Sequence, residues 1–158
     1  MAKVLLGFMG SGKTTIARKL DPDFVDMDAV IEKRIGMSIA DFFKVKGEEA
    51  FRQVESEILA DLLKTDQVVS TGGGVVISSR NRDLLKQNPD NIYLKSDFET
   101  LYQRISADKD NQRPLFFKNS KEDLAAIFKE RQALYEEVAS RVIDVTKLSP
   151  EEIIEELK

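Results

Sequence analysis

Gly7-Phe8-Met9-Gly10-Ser11-Gly12-Lys13-Thr14 satisfies the spacing G-x-x-x-x-G-K-[ST], the pattern of a loop that wraps phosphate groups. Its flanks agree with that reading. Lys3 to Phe8 reads as a strand, and Lys13 to Leu20 reads as a helix ended by Asp21-Pro22. Glycines let such a loop turn its backbone N–H groups inward at the positive end of the following helix. Lys13 is then placed to reach the outer phosphates of a nucleotide, and the Thr14 hydroxyl to ligate Mg²⁺. Gly10, Ser11, Gly12 and Thr15 complete the cradle. The expected nucleotide is ATP with Mg²⁺.

Beyond the loop, short apolar runs alternate with segments of helical period. Phe24 to Asp26, Val68 to Thr71, Asn91 to Lys95 and Val142 to Val145 read as strands. Between them lie expected helices at Asp28 to Ile35, closed by Gly36, and from Ser38 onward with a break at Gly47. Further helices are expected near Arg80 to Gln87, at Phe98 to Ile105 and at Lys121 to Ala139. Ser149-Pro150-Glu151-Glu152 resembles a capping box opening the last helix. Strands alternating with helices imply a parallel sheet covered on both faces, an α/β fold of three layers, α/β/α. Asp108 to Ser120 breaks the pattern: it is polar, and a loop of that length inside a compact domain is usually functional or disordered.

Composition narrows the chemistry. The 158 residues fit one domain, 1–158, and include neither Cys nor His. Thiolate nucleophiles, imidazole bases and the usual zinc ligand sets are thereby excluded. Catalysis must use carboxylates, Lys, Arg, hydroxyls, backbone amides and an oxygen-bound metal. The net charge of −4 argues against a nucleic-acid partner. No apolar run is long enough to span a membrane, and Met1 to Lys3 leads directly into Val4 to Leu6 without a cleavable leader. The expectation is a cytoplasmic protein without a membrane partner.

Several residues stand where ligands of parallel sheets lie, beyond the carboxyl ends of the strands. Asp26 and Asp28 follow the second strand. One could hold Mg²⁺ through water and the other orient or deprotonate a hydroxyl, or either could merely cap a helix. Gly72-Gly73-Gly74 ends the third strand, and three glycines in a row suit close backbone approach to a ligand. Arg131 falls inside the apolar stripe Leu124, Ile127, Phe128, Leu134, Tyr135 and Val138, so it needs either an internal acid or a ligand anion. Arg52, with Glu55 three residues on, reads as an ordinary surface pair. Arg113, in the polar loop, is suited to stabilising charge during phosphoryl transfer from a lid. Arg104 is a weaker candidate.

Taken together the motifs resemble shikimate kinase over essentially the whole chain. The ordered set is Gly-Phe-Met-Gly-Ser-Gly-Lys-Thr-Thr at 7–15, Phe-Val-Asp-Met-Asp at 24–28, Ile-Glu-Lys-Arg-Ile-Gly at 31–36 and Gly-Glu-Glu-Ala-Phe-Arg at 47–52. It continues with Ser-Thr-Gly-Gly-Gly at 70–74, Arg-Pro-Leu at 113–115 and Leu-Tyr-Glu-Glu-Val-Ala at 134–139. The resemblance implies transfer of the ATP γ-phosphoryl group to the 3-hydroxyl of shikimate, on a five-stranded parallel sheet of the P-loop NTPase type. It implies that Lys13, Asp28 and Arg113 are catalytic, with Asp28 the candidate base. Asp28, Arg52, Gly73 and Arg131 would hold shikimate, in a substrate-binding region of about 28–62, while Thr14 and Asp26, the latter through water, would hold Mg²⁺. Arg113 would close over the phosphates from a lid of about 108–120, and Arg104 would lie near adenine. A monomer is implied. The chain departs from the family pattern in its short first helix and in the lid sequence Arg113-Pro114-Leu115-Phe116-Phe117.

The rival readings are a kinase for gluconate or a nucleotide, which the arginines would also suit, and a regulatory GTPase. The latter requires an N/T-K-x-D signature, but Thr146-Lys147 is followed by Leu-Ser, and no Asp has Gly three residues on.

Overall fold

Val4, Leu5 and Leu6, in strand β1 (Lys3–Leu6), are all fully buried, as expected of an interior strand in a sheet covered on both faces. The computed structural model, which describes residues 1–107 and 119–157, puts β1 at the centre. Its neighbours are β3 (Val68–Ser70) and β4 (Asn91–Lys95), with β2 (Val25–Asp26) and β5 (Arg141–Asp144) at the edges. The order is β2-β3-β1-β4-β5 and every pairing is parallel, Val4 lying opposite Val69 on one side and Asn91 on the other.

Alternation along the strands sorts the interior into two cores. Val4, Leu6, Val69 and Tyr93 point to one face, where they meet helices α2 (Met27–Ile35), α3 (Ile39–Lys46), α4 (Glu48–Leu63), α5 (Ser79–Lys86), α6 (Phe98–Ala107) and α7 (Lys121–Val138). Leu5, Ile92 and Leu94 point to the other, against α1 (Lys13–Leu20) and α8 (Pro150–Leu157). Each fully buried Leu or Ile contributes about 1.5–3 kcal/mol relative to exposure. The result is the expected three-layer α/β/α arrangement with a five-stranded parallel sheet. Among the described residues no helix is long and apolar enough to cross a membrane.

Helix boundaries follow local chemistry. Ser38, Ser78 and Ser120 accept from the backbone N–H of Asp41, Asn81 and Asp123 at 3.1, 3.4 and 3.1 Å. The expected capping box is reciprocal: Ser149 N donates to Glu152 Oε1, and Glu152 N to Ser149 Oγ, both at 3.1 Å. Helix α1 differs, because its N-cap is Gly12 and no side chain caps its first turn.

Candidate active site

The carboxyl ends of β1, β2 and β3 open on one rim of the sheet, and the expected chemistry converges there. After β1 the loop turns through Gly10 and Gly12, at φ +82° and +90°, a left-handed backbone that other residues adopt only with strain. Gly7 is a glycine for another reason: a Cβ there would stand 2.6 Å from Ser11 Oγ and 3.0 Å from Leu94 O. The helix entered at Lys13 keeps its first-turn N–H groups without a side-chain acceptor, at the positive end of the helix dipole. That is the arrangement expected of an anion cradle. Lys13 Nζ folds back on the loop and donates to Gly7 O at 2.5 Å and Phe8 O at 3.2 Å. Thr14 and Thr15 are exposed on the first turn. Arg104, from α6, donates to Gly10 O at 3.4 Å. With Gly10, Ser11, Gly12 and Thr15 it lines a cavity of about 230 Å³ closed by Leu148, Pro150 and Ile153.

The two aspartates, at the end of β2 and the start of α2, differ in what they touch. Asp26 is the N-cap of α2, its Oδ1 accepting from Asp28 N at 3.1 Å. Asp28 therefore does not cap the helix, and its carboxylate faces Gly72 instead. A Cβ built on Gly72 would lie 2.7 Å from Asp28 Oδ1. Burial raises the Asp28 carboxyl above its ordinary range, and the neighbouring Asp26 charge adds to it. Lys13 and Arg52 pull the other way.

Each glycine after β3 faces a side chain singled out in the sequence. Gly72 meets Asp28, and a Cβ on Gly74 would stand 2.9 Å from an Arg52 nitrogen. Gly73 lies against Met9 N, an Arg131 nitrogen and the Tyr135 hydroxyl, at 3.6, 3.7 and 3.9 Å from its Cβ position. None of the three has positive φ; close approach, not a left-handed turn, is what disfavours a side chain at Gly72 and Gly74, while the neighbours of the Gly73 Cβ position stand at ordinary van der Waals distance.

The surface pair expected at Arg52 is a correction. Arg52 does bind Glu55, at 2.9 and 3.1 Å to its two oxygens, yet the Glu55 side chain is only 3% exposed. The same guanidinium nitrogen donates to Gly74 O at 3.0 Å. Its Nε is buried without a hydrogen-bond acceptor among the described residues. Asn81, fully buried, holds Glu55 Oε1 and Val75 O at 2.9 Å each. The signal for Glu55 was spacing, since Phe51, Glu55, Ile58 and Leu62 follow the helical stripe of α4.

Arg131 is half-buried over the Phe8 ring, 5.8 Å from its centroid. Among the described residues no carboxylate pairs with it. Desolvation holds its guanidinium below the usual value, and the Arg52 cation, in repulsion, lowers it further. Of the two partners open to it from sequence, an internal acid is not found among the described residues. Arg113 and most of the expected lid, residues 108–118, lie outside the described residues.

The shikimate kinase family profile matches residues 9–158. A shikimate kinase of Streptococcus gordonii is 53% identical over 98% of this chain and 97% of its own. The solved shikimate kinase of Acinetobacter baumannii, in complex with shikimate, superimposes with a TM-score of 0.88 at 34% identity, covering 99% of this chain and 89% of that one. A gluconokinase from Sinorhizobium meliloti, with a TM-score of 0.59 at 16% identity over 98% of this chain and 87% of that one, shares the fold alone. With the phosphate loop, the aspartate at the second strand and the arginines about the glycine loop in one rim, the chain belongs to the shikimate kinase family.

Proposed function

We propose that this chain transfers the γ-phosphoryl group of ATP to the 3-hydroxyl of shikimate, giving shikimate 3-phosphate for aromatic amino-acid biosynthesis. The observation that carries the reading is the convergence of Asp28, Arg52 and Arg131 on Gly72 to Gly74, beside the phosphate loop. The loop from Gly10 to Thr15 holds the ATP phosphates, and Lys13 exchanges its two carbonyl acceptors for phosphate oxygens. Asp28 orients the acceptor hydroxyl and takes its proton as the oxygen attacks phosphorus. Its raised affinity for a proton suits that task. Arg131 and Arg52 hold the acceptor's carboxylate, which offsets the repulsion between the two cations.

The donors also fit Mg²⁺. Thr14 offers an exposed hydroxyl and Asp26 an exposed carboxylate with one oxygen outside the cap. Among the described residues no group of three acids forms a dedicated cage. Mg²⁺ takes such a sparse set beside phosphates, keeping several waters. When bound it neutralises charge on the phosphate oxygens. Arg113 completes the reading as the cation brought over the phosphates from the lid, about 108–120. The chain acts as one domain, 1–158, with its acceptor-binding region at about 28–62. It works as a cytoplasmic monomer, and its net charge of −4 gives nucleic acid no basic surface.

A coupled assay of ADP release tests this directly. Turnover should require both ATP and shikimate and be negligible with gluconate or a nucleoside monophosphate. Equal turnover of either substitute would overturn the assignment. The carboxylate subsite has its own test. Arg131→Lys keeps the charge but loses the planar fork, so KM for shikimate should rise on the order of tenfold while KM for ATP stays put. Replacing the acceptor's carboxylate by an amide should cost the wild type about 3 kcal/mol in kcat/KM. It should cost Arg131→Lys much less, because both changes remove one interaction. Additive losses would leave Arg131 without that role.

A further inference from the structure

Tyr135 belongs to the apolar stripe of α7 and is 1% exposed, its ring stacked against Tyr93 with centroids 5.0 Å apart. Packing alone would be served by Phe. The hydroxyl, however, donates to Gly73 O, a carbonyl 62 residues earlier in the chain. Tyr135 also stands one helical turn beyond Arg131, and both side chains border the Cβ position of Gly73. The phenolic oxygen senses that cation: burial raises the Tyr135 hydroxyl well above its ordinary value, and the Arg131 charge is the largest influence opposing it. Arg131 has no carboxylate partner among the described residues; its guanidinium lies over the Phe8 ring, and an Arg131 nitrogen and the Tyr135 oxygen stand 3.7 and 3.9 Å from the same Gly73 Cβ position.

We propose that Tyr135 is a positioning residue for the acceptor subsite: its hydroxyl pins the Gly73 carbonyl with its proton and steadies the Arg131 guanidinium with its oxygen. One side chain thereby sets the distance between α7 and the glycine loop, the two walls on which the carboxylate-bearing acceptor is held. The nucleotide cradle, Gly10 to Thr15, lies on the loop after β1 and on α1, and the glycine loop meets that side through Met9 N, not through the Tyr135 hydroxyl. Loss of the hydroxyl therefore weakens one substrate and not the other. This rests on the shikimate kinase reading given above.

The test is Tyr135→Phe, which keeps the ring and removes the hydrogen bond, compared with Tyr93→Phe. The Tyr93 hydroxyl makes no hydrogen bond among the described residues. In Tyr135→Phe, KM for shikimate should rise about tenfold, which corresponds to ~1.4 kcal/mol. KM for ATP should not move, and kcat should stay within about twofold. Tyr93→Phe should move neither KM. A Tyr135→Phe enzyme that loses thermal stability while both KM values stay at wild type would reduce Tyr135 to a packing residue and overturn the proposal. A wild type inactive on shikimate removes the reading and the proposal together; a normal wild type with an unaltered Tyr135→Phe removes the proposal alone. Wild type carrying ring-labelled tyrosine gives a second measurement that needs no variant. Titration with shikimate alone should shift the Tyr135 Cζ resonance far more than that of Tyr93, and equal or absent shifts count against the proposal.

Discussion

Lys13→Ala should lower kcat/KM by about 10³-fold or more while the protein remains folded. Electrostatic stabilisation of a transferring phosphoryl group is the largest contribution a kinase makes, and each fixed cation aimed at it matters on that scale. The loop has supports besides the lysine, whose ammonium bonds Gly7 O and Phe8 O. Its turn is set by Gly10 and Gly12 at positive φ, by Ser11 N donating to Phe8 O at 3.2 Å and by Ile16 N donating to Gly12 O at 3.0 Å. Alanine also favours the first turn of α1 at least as well as lysine does. What disappears is the ammonium that now rests on Gly7 O and Phe8 O, and with it a positive charge at the phosphates. Steady-state rates beside circular dichroism and a thermal melt decide the matter. A well-folded Lys13→Ala protein with near-normal turnover would sink the phosphate-loop assignment.

How much of this was legible in sequence depends on whether the cause was local. Helix α1 begins and ends where expected, at Lys13 and Leu20, because its start is written in the loop and its end in Asp21-Pro22. The Ser149–Glu152 box forms with both of its bonds. Strand β4 runs from Asn91 to Lys95 as read. Expected strand ends shrink elsewhere: β1 stops at Leu6 rather than Phe8, since Gly7 already enters the loop.

Contacts between distant segments were not legible. Nothing near Tyr135 announces that its hydroxyl seeks Gly73, and within the stripe it counts as one more core ring. Glu55 looked like the exposed half of an i,i+3 pair, because a charged residue is usually solvated; Asn81, from another helix, allows it to be buried. The triple glycine was read as a place where the backbone closely approaches a ligand. The approaching atoms that can be seen are the site's own side chains, and only the folded chain could reveal which glycine meets which residue. The strand order β2-β3-β1-β4-β5 likewise has no local signature.

Asp28→Asn separates activity from stability, and the two should move in opposite directions. In the role proposed for it, orienting the acceptor hydroxyl and receiving its proton, Asp28 should be worth about 10²-fold or more in kcat. Asparagine has the same shape, leaves the Gly72 contact in place and cannot accept that proton. The backbone cap is also untouched, because Asp28 contributes its N–H to Asp26 and not its side chain. Stability follows from the direction of the pKa shift. Burial and the Asp26 charge raise the Asp28 carboxyl in the folded protein, so the folded state binds this proton more tightly than the unfolded chain does. The contribution of Asp28 to stability consequently falls as pH rises from the unfolded carboxylate range through the raised folded value. At neutral pH the ionised group destabilises the fold, and the neutral amide removes that effect. Asp28→Asn should therefore melt at a higher temperature than wild type at pH 7, and the difference should shrink as pH is lowered toward the ordinary carboxylate range. Were Asp28 serving only the positive end of α2, the helix dipole would favour the charge. The variant would then melt lower at pH 7 with kcat unchanged. Thermal melts at two pH values beside kcat at saturating ATP and shikimate distinguish the two outcomes, and the second would remove Asp28 from the chemistry.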